Sequence, residues 1–227
     1  MTYAELVQKI RDYTEVGSEV LTSTIVNGFI RDSEFKIFRE ADADYAREYA
    51  TSTFTTNNKY VALPNASGSA GTNTERRALI VRSVVATNTS GIQVSLEPRD
   101  DTFITEYNSS GSTGFPKYYA TFRENAIEVA PTPSSNFVVE LDYIYTPDGL
   151  SPTNTETYIS VNAPELLLYA CLVEAFAYLK GPMDMYKLYQ EKYNMALQGF
   201  TLEQTGRRRR DEYQDGTLRI KVPSPSP

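Results

Sequence analysis

The chain of 227 residues contains no histidine, and this absence restricts its possible chemistry more than any other feature. Ser-His-Asp and Cys-His nucleophilic sites, histidine-containing metal centres and imidazole acid-base catalysis all require that residue. The single cysteine, Cys171, lies within a long apolar run, where a thiol behaves as a small buried hydrophobe. Most hydrolase mechanisms are therefore excluded, and we expect neither an enzyme nor a cofactor.

Two pairs of acidic residues could in principle perform carboxylate chemistry or bind a hard cation. They are Asp100 with Asp101 and Asp42 with Asp44. Each pair is flanked by polar or charged residues, a pattern typical of solvated surface rather than of groups that tune each other's pKa. We therefore predict no catalytic site and no metal site here.

Two glycine-rich segments resemble phosphate-binding loops only superficially. Residues 67–71 read Ser-Gly-Ser-Ala-Gly and residues 111–114 read Gly-Ser-Thr-Gly. Neither leads into Gly-Lys-Ser/Thr nor follows a strand in a βαβ unit, which a phosphate loop requires. Both are predicted to be flexible loops.

The C-terminal segment differs in charge from the rest of the chain. Residues 207–227 hold six basic and three acidic residues, a local charge of +3, so the remainder must carry −10 of the total of −7. The run Arg207–Arg210 could bind nucleic acid, but Asp211 and Glu212 follow it at once, and aromatic residues for base stacking are not interleaved. Docking onto an acidic protein surface is the preferred interpretation, and a solvated tail without a partner is the simplest alternative. The alternating run Leu218–Val222 favours docking, since it could add as a strand to a partner.

The overall charge argues against general binding to nucleic acid or to a membrane. With a pI near 4.8, the electrostatic field of the chain has the wrong sign for polyanions and for anionic lipid. A nucleic-acid-binding module that uses the basic tail is kept as the alternative function.

One apolar helix is predicted to organise the fold. It spans Ala163–Leu179 and contains only Glu174 as a charged residue after its first turn, so it should be buried on several sides. Asn162 is expected to cap it, together with Glu165, and Lys180-Gly181-Pro182 is expected to end it.

The other predicted helices are amphipathic. A capping box of Thr2 and Glu5 opens the first, and a second runs over about Leu21–Ala43. Phe35 falls on the side opposite the apolar stripe of this second helix, so it either meets a second layer of its own subunit or forms a contact with a neighbouring subunit. The last helix runs over about Pro182–Gln204 and should pack on the central one. Its apolar stripe comprises Met185, Leu188, Tyr189, Ala196 and Phe200.

From about Thr51 to Tyr145 the periodicity becomes that of half-buried antiparallel strands. Ile92–Glu97 alternates strictly, and alternate residues of Phe137–Tyr145 form one apolar face. Only Pro98–Tyr107 suggests a helix in this block. We therefore predict an α+β fold, a helical core with an inserted antiparallel β-rich domain and an extended C-terminal tail. The expected ranges are 1–50 and 151–206 for the helical core, 51–150 for the insertion and 207–227 for the tail.

Several segments together resemble the head-to-tail adaptor proteins of tailed bacteriophages, and the resemblance covers nearly the whole chain. They are TYAELVQKIRDYTEV, FIRDSEFKIFREAD, APTPSSNFVVELDYIYTPDGLSPTNTETYIS, PELLLYACLVEAFAYLKGPMDMYKLYQEKYNMAL and GRRRRDEYQDGTLRI. The match is weakest from about Thr51 to Lys117.

This resemblance implies a structural protein of the virion neck, assembled in the host cytoplasm. It implies a homo-oligomeric ring, typically of twelve subunits, between the portal protein and the tail or nozzle protein, with genomic DNA passing through the lumen. The β-rich block would face the tail. The portal-docking residues carried over are Arg207, Arg208, Arg209, Arg210, Tyr213, Leu218, Arg219, Ile220 and Val222, and Phe35 is the candidate intersubunit contact.

Overall fold

The protein folds into two compact units, one helical and one built of β-sheet. We describe residues 1–41, 44–64 and 77–208 in a computed structural model, without the side chains of 207 and 208. The helical unit comprises Met1–Tyr45 and the chain from Asp148 onward, and the β unit comprises Ala46–Pro147. The α+β class predicted from the sequence is confirmed.

Within these residues the structure contains six α-helices, ten strands and one turn of 3-10 helix at Asp44–Ala46. The helices are α1 (Tyr3–Thr14), α2 (Ser23–Glu40), α3 (Asp101–Tyr107), α4 (Tyr158–Asn162), α5 (Pro164–Tyr178) and α6 (Met183–Arg208). The strands are β1 (Arg47–Thr53), β2 (Tyr60–Ala62), β3 (Ala78–Thr87), β4 (Gln93–Ser95), β5 (Glu97–Pro98), β6 (Thr113–Gly114), β7 (Tyr118–Arg123), β8 (Ala126–Ala130), β9 (Thr132–Pro133) and β10 (Val138–Tyr145). Among the described residues, no helix combines the length and apolarity needed to cross a bilayer.

Helix α5 forms the centre of the helical unit. Nine of its fifteen residues are buried, and α1, α2, α4 and α6 all pack against it. Because its apolar residues lie on every face, no single neighbour could bury them. The prediction of a central buried helix is confirmed.

The two ends of α5 are built differently from the expected capping. Asn162 belongs to the preceding α4, and its side-chain amide donates to the carbonyl of Tyr158, so the predicted Asn162 cap is wrong. Ala163 occupies the cap position, and Pro164 begins the helix, where its missing N–H costs nothing. At the other end Lys180 adopts φ 52°, and the amide of Gly181 donates to the carbonyl of Phe176. The left-handed residue of this closing turn is thus a lysine, not the glycine that usually fills it.

Helices α1 and α2 supply two further sides of the core. The predicted capping box of α1 is present, with Thr2 and Glu5 each accepting from the other's backbone N–H. Helix α2 is shorter at both ends than the expected range Leu21–Ala43, and it ends where Ala41 turns to an extended conformation. Their buried residues are Leu6, Val7 and Ile10 of α1 and Val26, Ile30, Ser33, Glu34 and Ile37 of α2.

Helix α6 buries a slightly different stripe from the one predicted. Leu188 is 41% exposed, so its assignment to the buried face is wrong, whereas Tyr193 is buried and was missed. Tyr189, Tyr193 and Phe200 follow one another at steps of four and seven, which keeps them on one side of the helix. The phenol hydroxyl of Tyr193 donates to Glu40 of α2, so a polar tip allows this large ring to be buried.

The β unit consists of two four-stranded sheets that contribute to one apolar core, with a further two-stranded pairing of β6 with β9. Their strand orders are β1-β10-β3-β4 and β2-β8-β7-β5. Val84, Val139 and Leu141 of the first sheet pack in the same cluster as Ile127 and Val129 of the second. Alternate residues of β10 enter this core, as the pattern of Phe137–Tyr145 predicts.

Some predictions for the β unit were wrong or incomplete. In the alternating segment Ile92–Glu97 only Leu96 is buried, while Ile92 and Val94 are exposed, because β4 is a short edge strand that pairs only with the end of β3. Strand β1 was missed, since the polar residues of Arg47–Thr53 obscure its alternation. Two short pairings, β5 with β7 and β6 with β9, are parallel rather than antiparallel.

A buried carboxylate connects α2 to the segment that leads back from the β unit. Glu34 accepts hydrogen bonds from the backbone N–H of Leu150 at 2.7 Å and from the hydroxyl of Thr157 at 2.8 Å. Burial raises the pKa of the Glu34 carboxyl above its ordinary value of 4.5, although both hydrogen bonds act to lower it. Glu34 thus closes the helical unit at a point where the chain has no apolar alternative.

We expect Leu172→Asp in α5 to unfold the helical unit. Leu172 is completely buried, and an unpaired buried carboxylate costs several kcal/mol, comparable to the stability of an ordinary domain. Ala177→Asp is the matched control, because Ala177 is an exposed residue of the same helix and the change should cost at most about 1 kcal/mol. Denaturant unfolding measures both, and equal stability of the two variants would contradict the central position of α5.

We expect Glu34→Ala to cost about 2–4 kcal/mol at neutral pH, because two buried donors lose their acceptor. Glu34→Gln should be far milder, since an amide can accept from Leu150 and donate to Thr157. The raised pKa of Glu34 stabilises the fold fully below the unfolded value of 4.5, and this contribution is lost as pH rises through the folded value. The stability of wild type relative to Glu34→Gln should therefore fall with rising pH and then level off. A difference that increases with pH would show the opposite shift.

Candidate docking surfaces

The predicted portal-docking segment begins at the end of α6. The helix continues through Arg208, beyond the expected end near Gln204, and Gly206 lies within it despite the low helix propensity of glycine. Phe200 and Gln204 are buried close to this end. The backbone of the last turn therefore leaves from an anchored part of the helical unit.

Only two residues of the predicted docking segment fall within the helix, Arg207 and Arg208. The others lie outside the described residues, and their assignment stays a prediction. They are Arg209, Arg210, Tyr213, Leu218, Arg219, Ile220 and Val222.

Phe35 lies on the side of α2 that is turned away from α5. Its ring is half-buried, and the guanidinium carbon of Arg31 lies 5.8 Å from the ring centroid. The shallow groove around the ring is lined by α2 alone, namely by Arg31, Asp32, Phe35, Lys36, Arg39 and Glu40. A charged, aromatic helix surface of this kind suits docking better than catalysis.

One side of this surface is held by α6. The ammonium of Lys36 lies 4.6 Å from the ring centroid of Tyr193, whose hydroxyl donates to Glu40. Burial, and then the hydrogen bond to Glu40, raise the pKa of the Tyr193 phenol, so it stays a neutral donor. Lys36 and Glu40 are thus positioned within the subunit.

A second outward surface, on α6, was missed by the sequence analysis. Met195 and Leu202 are 71% and 74% exposed, and with Leu188 they recur at intervals of seven residues. Seven residues are close to two helical turns, so the three side chains lie along one line on the helix. The spacing 188, 195, 202 was available in the sequence, but the competing assignment of Leu188 to the core concealed it.

The β unit carries an aromatic cluster on its short helix α3. The helix predicted within Pro98–Tyr107 is present as Asp101–Tyr107. The rings of Phe103, Tyr107 and Tyr118 lie 5.0–5.7 Å apart, and Arg99 lies over two of them. This cluster packs α3 on β7, and the partly exposed Tyr107 leaves part of it at the surface.

The candidate catalytic groups do not form a site. Asp100 and Asp101 are both exposed at the start of α3, and Asp42 lies outside the described residues. Among the described residues, no cluster of His, Cys, Asp or Glu could hold a metal ion. Of the two glycine-rich segments, 67–71 lies outside the described residues, and 111–114 makes a turn into β6.

The thiol of Cys171 is enclosed in the helical core. Burial raises its pKa to about 12, so the reactive thiolate is not formed at neutral pH. Cys171 is thus a small hydrophobe of the core, as its position in the apolar run predicts.

These features are typical of a structural protein that works through contacts with other proteins. The chain belongs to the family described as SU10 adaptor protein, whose model matches residues 1–221. A search of curated proteins found no match. The family match confirms the resemblance to phage head-to-tail adaptors, and the protein is a bacteriophage structural protein, a virion component that associates with other virion proteins.

We expect Cys171 to resist thiol reagents as long as the protein is folded. Complete burial and the raised pKa both suppress the thiolate that such reagents attack. Labelling with an aromatic disulfide at pH 8 should be slow in buffer and stoichiometric in denaturant. Rapid labelling of the folded protein would show that the core around α5 opens readily.

Proposed function

We propose that this adaptor joins the portal to the tail as a ring, typically of twelve subunits, with genomic DNA passing through its lumen. The ring, the portal partner and a position in the virion neck are what membership of the adaptor family favours. Binding to DNA would not be sequence-specific, because the acidic body opposes a polyanion. The β unit would face the tail or nozzle protein.

The observation that carries the portal assignment is the course of α6. This helix packs along the central α5 and then runs directly into the four consecutive arginines. A basic tail that starts from a rigid helix can reach a partner at low entropic cost for its first residues. Its arginine forks suit carboxylates on an acidic protein surface.

The segment proposed to bind the portal combines this charge with a short apolar run. Arg207–Arg210 would provide charge-assisted contacts, and Tyr213 would add an aromatic contact. Leu218, Arg219, Ile220 and Val222 would pair as a strand with the portal. Repetition around a ring multiplies even modest contacts through avidity.

We expect deletion of 209–227 to leave a folded protein that no longer binds the portal. The cut preserves all of α6, so the core should lose little stability. Replacing Arg207–Arg210 by alanine should weaken binding at least about tenfold, since each charge-assisted contact is worth about 1.5–3 kcal/mol. Cosedimentation with purified portal measures binding, and thermal melting verifies the fold.

The matched control is Lys9→Ala with Lys117→Ala, which removes two exposed cations from other parts of the chain and should bind normally. Four lysines in place of the arginines distinguish net charge from the bidentate geometry of guanidinium groups. Normal portal binding by the truncated protein would refute the tail as the docking element. The alternative, a nucleic-acid-binding tail, requires instead that the tail retain duplex DNA with a steep dependence on salt.

A further inference from the structure

The outward face of α6 combines apolar and acidic residues in one line. On a helix with 3.6 residues per turn, positions 184, 188, 191, 195 and 202 lie opposite the stripe that α6 buries. These positions hold Asp184, Leu188, Glu191, Met195 and Leu202, and Leu188, Met195 and Leu202 are exposed. We call this line the α6 face.

The outward face of α2 is basic and aromatic. Positions 28, 31, 35 and 39 lie opposite or beside the turn away from the buried residues of α2. They hold Gly28, Arg31, Phe35 and Arg39. We call this line the α2 face.

Neither face is matched within its own subunit. Both helices use their opposite sides to pack on α5, so the two outward faces cannot meet in one copy of the chain. In the part of the chain that the structure describes, no salt bridge involves Arg31, Arg39, Asp184 or Glu191. An aligned apolar row of this length on a helix surface is typical of an interaction site.

The two faces complement each other in an antiparallel arrangement. Descending α2 through 39, 35, 31 and 28 gives steps of four, four and three, and ascending α6 through 184, 188, 191 and 195 gives steps of four, three and four. Side chains at such spacings stay aligned over three turns when helices pack together. The resulting pairs are Arg39 with Asp184, Phe35 with Leu188, Arg31 with Glu191 and Gly28 with Met195.

Each of these pairs matches in charge or in size. Two arginines meet two carboxylates, and the larger Met195 meets a glycine. A parallel arrangement could retain the two charge pairs, but the counterpart of Gly28 would then fall before Met183, where α6 begins. The antiparallel arrangement uses all four positions.

Gly28 supports this arrangement independently. A glycine inside a helix is less stable than alanine by about 1 kcal/mol, and a Cβ at this position would contact nothing within 4 Å. Packing within the described part of the subunit therefore gives no reason for a glycine here. Close approach of a side chain from another molecule does.

We propose that the α2 face of one copy docks against the α6 face of the next copy, forming the contact between neighbouring subunits of the ring. This inference rests on the ring of the proposed function and names the surfaces that build it. A contact between two different surfaces is heterologous, and such contacts produce closed rings when the rotation between copies closes. The described charges of the two faces are opposite, which selects a second copy of this chain as the occupant.

Charge reversal with rescue tests the two charge pairs. Arg31→Glu with Arg39→Glu, and separately Asp184→Arg with Glu191→Arg, should each weaken subunit association at least about a hundredfold, because like charges then face each other. The chain with all four changes should regain ring formation, since every interface has opposite charges again. Sedimentation velocity and electron microscopy of the full chain mixed with portal measure the ring, and thermal melting verifies each fold.

Substitutions of Gly28 test the contact without changing any charge. Gly28→Leu adds a side chain that contacts nothing in the subunit but occupies the place of Met195, so the variant should melt normally and fail to form rings. Gly28→Ala should raise Tm by about 2–4 °C for a chain of this size while weakening association only mildly. Normal rings from Gly28→Leu would overturn the arrangement.

The outcomes separate this inference from the proposed function. If wild type forms rings with portal and every variant does too, the ring stands and the α2–α6 contact is wrong. If rings persist but the variants lose the portal or the tail protein, one of these faces serves another virion protein and the inference is overturned. If wild type forms no ring with portal, the proposed function and the inference fail together.

Discussion

The need to bury α5 on all sides is the constraint on which the helical unit depends. A helix whose apolar residues cover its whole circumference must be surrounded, and α1, α2, α4 and α6 do this. The first two come from the start of the chain and the others from beyond the β unit. The N-terminal ammonium of Met1 also donates to the carbonyl of Ser160, which joins the two halves directly. Insertion of a complete β unit is compatible with this core because its ends leave and return at the edge of the helical unit.

The same constraint determines which surfaces remain for assembly. Since α2 and α6 both turn their most apolar sides to α5, their opposite sides become the outer surface of the unit. A helix that served only to cover α5 would be expected to carry scattered polar residues there. Instead α6 carries an apolar row, and α2 carries an arginine on each side of Phe35. The outer faces thus have a pattern that the core does not require.

The buried titratable groups serve the fold rather than chemistry. Glu34 holds the returning chain, Tyr193 links α6 to α2, and Cys171 fills space beside α5. Burial raises the pKa of each of them, so none presents a reactive charged form at neutral pH. This arrangement agrees with a structural role in the virion, where rigid elements must present docking surfaces.

The sequence by itself determined the α+β class, the central position of α5, the capping of α1 and the apolar face of β10, because each depends on local periodicity or composition. Tertiary structure alone decided which neighbour covers each face. Leu188 and Val94 match apolar periodicities equally well, yet both are exposed because no element of the described chain lies over them. Strand β1 forms because β10 lies beside it, a pairing between segments about ninety residues apart that no local pattern encodes. Periodicity records which residues share a face, whereas burial depends on what packs against that face.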